Sequence, residues 1–451
     1  MRAIPTLKIS ISGVRGVVGD SLTPTLLARF AQAFGTYAGP GRIVIGRDTR
    51  TSGEMVRQAV VAGLLSSGCR IIDLGVCPVP TVQLVVRHLG AQGGIAVTAS
   101  HNPPEWNALK FVGADGLFLS AARGRELLDI YHQGDYTKVP GARMRTVEAM
   151  PEALDLHVAT ILAAVGRLPA GPRRLRVALD SCNGAGSIVT PRLIEALGAE
   201  VVTINTTPDG TFPRPAEPLP ENLGALCAAV RRHGADIGVA QDMDADRLAV
   251  VSEAGEPIGE ERTLALAVQR VLAGTPGPVV VNLSTTHAID EIARRFGCQV
   301  TRTKVGEANV TDGMQRVGAI IGGEGNGGVI YPRINFGRDS LVGIALILHL
   351  MAETGQSVSA LVAGLPPLFM VKRRVTCPSQ RIADVLKEMR RVYAAYPLDV
   401  RDGVKVMLPD GWFLLRGSNT EPVVRLTVEA GSMEEAGRLA DVVLEKVRAW
   451  L

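Results

Sequence analysis

A pattern that occurs three times constrains this 451-residue chain more than any other feature. A β-branched run beginning "RIVIGRDTR" at Arg42 recurs as "LRVALDSCNGAG" from Leu175 and as "GPVVVNLSTT" from Gly277. Each run ends in polar residues and leads into a helix-like segment, such as "GEMVRQAVVAGLLSSG" or "IVTPRLIEALG". Each segment stops at Gly-Cys or Gly-Ala, where glycine can take the left-handed conformation that closes a helix. A second strand follows ("CRIIDLG", "AEVVTIN", "CQVTRTKVG"), and a third closes the unit ("GGIAVTASHNP", "DIGVAQDMDADR", "AIIGGEGNGG"). This repetition predicts three related α/β units, at residues 1–150, 151–256 and 257–370. Strands alternating with helices predict mixed or mostly parallel sheets covered on both faces. The remainder, 371–451, differs. "DGVKVMLPDGWFLLRGSNTEPVVRLTVEA" reads as antiparallel strands around turns, and "SMEEAGRLADVVLEKVRAWL" as an amphipathic helix. It is a fourth, α+β domain.

Composition narrows the function. Hydrophobic residues make up 46% of the chain, enough for large cores and against disorder. The 48 Lys and Arg are scattered against 44 Asp and Glu, and aromatics are 4%, which argues against a nucleic-acid surface. Small anionic substrates stay open, because a local basic pocket needs no global excess. Cys69, Cys77, Cys182, Cys227, Cys298 and Cys377 form no CxxC pair and read as buried free thiols rather than a zinc site or disulfide framework. "MRAIPTLKIS" lacks the apolar core of a signal peptide. The longest apolar run, residues 341–351, is too short to span a bilayer and reads as a buried helix. A cytoplasmic protein without a membrane partner is the expectation.

Ligands on α/β sheets bind beyond the C-terminal ends of strands, and the oddest residues stand there in all three units. After "GGIAV" comes "TASHNP", with Ser100 beside His101. Neighbouring residues on an extended chain point apart, so His101 is poorly placed to deprotonate Ser100 directly, while Lys110 could fold back as a cation or as an acid/base. In "DMDADR" the alternate Asp242, Asp244 and Asp246 can converge. Three such carboxylates need a cation, and hard oxygen ligands suit Mg²⁺. Arg247 then offers a phosphate-facing fork. The D-x-D-x-D start also resembles a calcium loop with Glu253 at position 12, but Arg247 stands where glycine is required and a strand follows. In "GGEGNGG", Glu324 and Asn326 alternate and can face one cavity, where a carboxylate and an amide suit sugar hydroxyls. In the fourth domain "RGSNTEP" offers Arg416, Ser418, Asn419 and Thr420 as a phosphate clamp, with Arg425 on the next strand. A nucleophile, a cation site, a hydroxyl-binding loop and a phosphate clamp are the parts for phosphoryl transfer on a sugar phosphate.

These four ordered motifs, with "SGVRG" (residues 12–16) and "GRDTR" (residues 46–50), resemble the α-D-phosphohexomutase family of phosphoglucomutases, phosphomannomutases and phosphoglucosamine mutases. The resemblance covers essentially the whole chain and implies four domains around a central cleft. It implies that phospho-Ser100 gives its phosphoryl group to the substrate, and that the sugar 1,6-bisphosphate, which also serves as activator, turns around and returns its other phosphate. It implies Mg²⁺ between Ser100, Asp242, Asp244 and Asp246. It implies proton transfer by His101 or Lys110, Arg15 and Arg247 near the moving phosphate, and Lys304 of "TKVGE" facing substrate. A monomer or homodimer with sugar-phosphate ligands is expected.

The chain departs from the usual family pattern in four places. Met243 stands for Gly in the metal loop. Asn326 and Gly328 stand for Ser and His in the sugar loop. Asn419 stands for Gly in the phosphate loop, and residues 211–223 lack the frequent histidines. These variants resemble the archaeal-type phosphoglucosamine mutase branch, so conversion of glucosamine 6-phosphate to glucosamine 1-phosphate is the expected reaction, with phosphomannomutase/phosphoglucomutase activity as the alternative. A metal-dependent sugar phosphatase using an aspartate nucleophile, or a non-catalytic sugar-phosphate binder, are the rivals from other classes.

Overall fold

A computed structural model describes residues 6–10, 13–367, 369–418 and 422–451. The threefold repeat is a repeat of topology. In each unit a first strand (Arg42–Arg47, Arg176–Asp180, Val279–Asn282) lies parallel between a second (Arg70–Val76, Glu200–Ile204, Val300–Thr303) and a third (Gly93–Val97, Ile237–Gln241, Ile321–Glu324). The third strand then pairs antiparallel with a fourth that returns along it: Trp106–Gly113, Leu248–Ser252 or Gly328–Ile330. The sheets are therefore mixed. The loops that stood out in the sequence are the hairpin connections between third and fourth strands, and the return strand is what brings Lys110 back toward Ser100. In the first unit the sheet extends to seven strands, with Lys8–Ser10 and Gly13–Val17 beyond the return strand and Val147–Ala149 at the other edge.

Local chemistry sets the element ends. The glycines expected to close the repeated helices, Gly68, Gly198 and Gly297, have φ of +82°, +101° and +68°, a conformation that costs other residues a steric penalty. The helix Ser340–Thr354 holds the apolar run 341–351 and is buried over nearly its whole length. It is apolar all round because it is packed all round. It belongs to a continuous core that includes Val44, Leu179, Leu264 and Ile344 and so joins the first three units. All six cysteines are free thiols. No helix among the described residues is long and apolar enough to cross a membrane.

The fourth domain has its own core, formed by one face of a five-stranded antiparallel sheet and helices Ser379–Val392 and Met433–Ala449. Part of the other face docks on the third unit. Trp412 and Leu414 pack on Leu283. Glu429 accepts hydrogen bonds from Thr286 Oγ1 at 2.7 Å, His287 N at 2.9 Å and Trp412 Nε1 at 2.7 Å. Buried Lys405 donates to Leu283 O at 2.8 Å, with Nζ 3.0 Å from His287 Nε2 and 3.7 Å from the Trp412 ring centre.

Among the described residues no carboxylate pairs directly with Lys405. Burial, with Arg302 adding to it, pulls this amine down to about 7 against the attraction of Asp290, Glu429 and Asp399. Unfolded, it titrates near 10.5. Between these values the unfolded chain holds the extra proton, so stability rises with pH from about 7 to 10.5. Calorimetry is expected to show the domain IV transition moving up between pH 7 and pH 9.5 in the wild type (both pH values approximate), and much less in Lys405→Met. An equal rise in both proteins would rule Lys405 out as its source.

Candidate active site

The Ser100 loop is strained and held. Ser100 has φ +50° and is 6% exposed. A non-glycine residue in this region costs of order 1–3 kcal/mol unless its surroundings impose it. Arg50 does so. Its guanidinium donates to the carbonyls of Ser100 and Asn102 (2.7 Å each), Pro103 (2.6 Å) and Trp106 (2.9 Å), and to Asp48 Oδ2 at 3.0 Å. Thr98 Oγ1 donates to Asp48 Oδ2 at 2.6 Å and accepts from Ser100 N at 2.9 Å. The outcome is that Ser100 Oγ donates to Asp242 Oδ2 at 2.9 Å, across from the second unit.

Asp242, Asp244 and Asp246 are buried, and each offers an oxygen within 4.8 Å of the other two. Their convergence differs from the expected extended loop. The chain turns tightly, with Ala245 at φ +54°. The turn is pinned where Ser340 Oγ donates to Ala245 O at 2.6 Å, and Asp246 N and Arg247 N donate to Asp242 Oδ1 at 3.2 Å each. Lys110 Nζ donates to Asp244 Oδ2 at 2.7 Å and lies 3.8 Å from Asp246 Oδ2. Arg247 lies 4.0 Å from Asp242 and 3.8 Å from Asp246, and bonds Glu217 at 2.9 Å. Burial and the two neighbouring carboxylates raise Asp242 well above the carboxylate range. Burial acts the same way on Asp244, but the Lys110 ammonium overrides it and holds that group at about 2. The Oδ1 atoms of Asp244 and Asp246 are buried without a hydrogen-bond partner among the described residues. Orphaned carboxylate oxygens in a cluster of three are the donor set of a hard divalent cation, so the residues fit Mg²⁺.

The other predicted residues fall into two groups. Arg15, on the strand beside the return strand, donates to Asn102 Oδ1 at 3.2 Å. His101 is largely buried, its Nδ1 has no hydrogen-bond partner among the described residues, and Arg247, burial and Arg15 together push it down to about 2, so its ring is neutral. Glu324 is buried; its Oε1 accepts from Asn282 Nδ2 and Gly306 N at 2.8 Å each. Its Oε2 accepts from Arg338 Nη1 at 3.1 Å, and Arg338 Nη2 continues to Asp246 Oδ2 at 2.6 Å. Ser100, Lys110, Arg247, the three aspartates and Glu324 thus share one network of hydrogen bonds and ion pairs, Arg15 bonds the Ser100 loop through Asn102, and His101 feels the charges of Arg247, Arg15, Asp246 and Lys110. Asn326 instead accepts from Gly328 N at 3.2 Å, and Lys304 is exposed on the loop that supplies Gly306.

Arg416 and Arg425 are directly opposite one another in the fourth sheet, and Arg374 is opposite Arg425 on its other side. Arg416 pairs with Asp402 at 3.3 Å, and Ser418 N donates to Val423 O at 2.9 Å. Two residues along the same face, about 7 Å, Lys372 donates to Gly325 O at 3.2 Å. This places the arginine row about one row from the sugar loop. Asn419, Thr420 and residue 12 lie outside the described residues. A cavity of about 590 Å³ between residues 168–175 and the end of helix Ser340–Thr354 is lined by none of these residues. Arg50, Asp48, Thr98, Arg338 and Glu217 were not singled out from sequence. Asp48 and Arg50 lie within "GRDTR" and Thr98 within "TASHNP", so the motifs contained these three without giving them a role, while Arg338 and Glu217 stood in no quoted motif.

Known proteins agree along the whole length. The four phosphoglucomutase/phosphomannomutase domain models match in order: α/β/α domain I over residues 7–138, II over 156–255, III over 260–369 and the C-terminal domain over 370–446. The chain is 40% identical over 441 residues to a Methanopyrus kandleri protein named "Probable phosphoglucosamine mutase", covering 97% of each. It is 38% identical to the Thermococcus kodakarensis "Phosphoglucomutase/phosphomannomutase", covering 94% of each. A solved phosphoglucomutase/phosphomannomutase family protein from Burkholderia thailandensis superposes with TM-score 0.87 at 28% identity, over 100% of this chain and 98% of that one. Four domain models matched in order, with relatives of 38–40% identity over nearly the whole length, show that this chain belongs to the phosphoglucomutase/phosphomannomutase family.

Proposed function

We propose that the chain is a phosphohexomutase that interconverts glucosamine 6-phosphate and glucosamine 1-phosphate through a phosphorylated Ser100. The observation that carries this is Ser100 Oγ, 2.9 Å from Asp242 within a triad of buried carboxylates, with Lys110, Arg247 and Arg15 supplying positive charge around it. Asp242, Asp244, Asp246 and Ser100 would hold Mg²⁺, which supplies charge neutralisation for a phosphoryl group.

In the first half-reaction the bond between phosphorus and Ser100 Oγ breaks, and a bond from phosphorus to a sugar hydroxyl oxygen forms. The hydroxyl proton leaves to a base. The bisphosphate turns, and its other phosphoryl group returns to Ser100 as that sugar oxygen regains a proton. His101, neutral with an open Nδ1, is in the state of an acceptor, and the negative charge of a phosphate offsets the arginines that depress it. Lys110, held as a cation by Asp244 against burial, is in the state of a donor. Glu324 presents a fixed carboxylate for sugar hydroxyls, Asn326 and Lys304 flank it, and Arg416, Ser418, Asn419, Thr420 and Arg425 hold the phosphate that is not reacting.

The name carried by the Methanopyrus relative supports glucosamine phosphate, and that of the Thermococcus relative supports mannose and glucose phosphates as a second reading. Coupled assays on the 6-phosphates of glucosamine, mannose and glucose are expected to give the highest kcat/KM for glucosamine. Equal or higher turnover of mannose phosphate would sink the preference without touching the mutase mechanism.

A further inference from the structure

Arg338 sits where three loops meet. Its Nε donates to Glu307 Oε2 at 3.0 Å, Nη1 to Glu324 Oε2 at 3.1 Å and Nη2 to Asp246 Oδ2 at 2.6 Å. One guanidinium is therefore shared by a carboxylate of the aspartate loop, one of the glycine-rich loop and one in the first turn of helix Glu307–Val317. Its backbone is fixed by what flanks it. Arg338 N donates to Glu307 Oε1 at 3.3 Å, Asp339 N donates to Val329 O at 2.8 Å, and Asp339 caps the buried helix Ser340–Thr354. Its stem crosses directly over Gly328, where a Cβ would lie 2.3 Å from Arg338 Cδ. A side chain at position 328 and this course of Arg338 exclude one another.

A rigid planar fork cannot satisfy three carboxylates independently. Whatever draws Asp246 away releases Nη2 toward Glu324 and Glu307, and firms the carboxylate that faces the sugar. Building on the proposed function, we infer that Arg338 is a positioning residue that couples a divalent cation on the aspartate loop to hexose-phosphate binding at Glu324. Cation and sugar phosphate then bind cooperatively, and by linkage each tightens the other by the same factor.

The test uses Mn²⁺ and glucosamine 6-phosphate on the full-length chain. Each is titrated by calorimetry with and without the other present. In the wild type each is expected to tighten the other about tenfold. Arg338→Met is expected to reduce that factor to about one. Because this variant strands buried carboxylates and can cost the fold, Gly328→Ala serves as the second. It keeps every charge but puts a methyl group in the path of the arginine stem, and the same loss of coupling is expected. A merely structural role would lower thermal stability and leave the coupling factor intact. Retention of the factor in a folded Arg338→Met or in Gly328→Ala overturns the inference. Independent binding in the wild type overturns it while leaving the mutase reading standing. A wild type that binds no Mn²⁺ overturns it together with the cation reading.

Discussion

Ser100→Ala is expected to lower mutase turnover by roughly 10⁴-fold or more, the scale on which deleting a nucleophile acts. The argument is local. The substitution removes one oxygen and leaves the backbone at φ +50° under the grip of Arg50, which bonds carbonyls and not the hydroxyl. The fold is therefore expected to survive, with a change in thermal midpoint far smaller than the change in rate. The lost bond from Oγ to Asp242 touches a carboxylate that burial and its neighbours already raise. Intact-mass measurement gives an independent readout: partial occupancy by one phosphate in the wild type, and none in the variant. A phosphatase using an aspartate nucleophile would keep releasing phosphate in Ser100→Ala. Substantial retained mutase activity would end the phosphoserine mechanism outright.

The second large effect is expected at Arg50, whose guanidinium bonds Asp48 and loop carbonyls and not the Ser100 hydroxyl. Arg50→Met removes a fully buried cation that bonds Asp48 and four carbonyls of the Ser100 loop. Breaking a buried ion pair from one side costs about 3–5 kcal/mol, because the partner is left charged and dry. The carbonyls can recover part of their loss only if the loop moves into water. That motion relaxes Ser100 from its strained conformation. The expected result is a lower midpoint for the first domain in calorimetry, faster hydrogen exchange confined to residues 98–106, and turnover reduced by about 100-fold or more through misplacement of Ser100. The double variant Asp48→Asn with Arg50→Met should recover part of the stability, since it removes the stranded charge, and little of the activity. Unchanged exchange in residues 98–106 of Arg50→Met would show that something else holds the loop.

Much of this was legible in the chain because it is encoded locally. The repeat shows because apolar runs of strand length, closing glycines and polar endings recur within short windows. The functional loops show because serine, aspartate and glycine clusters are conspicuous where a buried strand stops. The return strands were less legible. Leu248–Ser252 could be seen to continue as a strand, but Trp106–Gly113 carries Asn107 and Lys110 inside it, and Gly328–Ile330 has only three residues. Two of those irregularities are explained in the folded protein. Lys110 answers Asp244, and Asn107 bonds Ser52. Both partners are remote in sequence.

The sequence by itself determined the layout: three related α/β units, a different fourth domain, and which loops stand out as candidates for the site. Those features follow from hydrophobic period and turn chemistry, which act between near neighbours. Tertiary structure decided how the loops are held and joined. Arg50 is 50 positions from the carbonyl of Ser100, Asp242 is 142 from its hydroxyl, and Arg338 is 92 from Asp246. Buried charges take their partners from whatever element packs against them, and no local pattern records that choice.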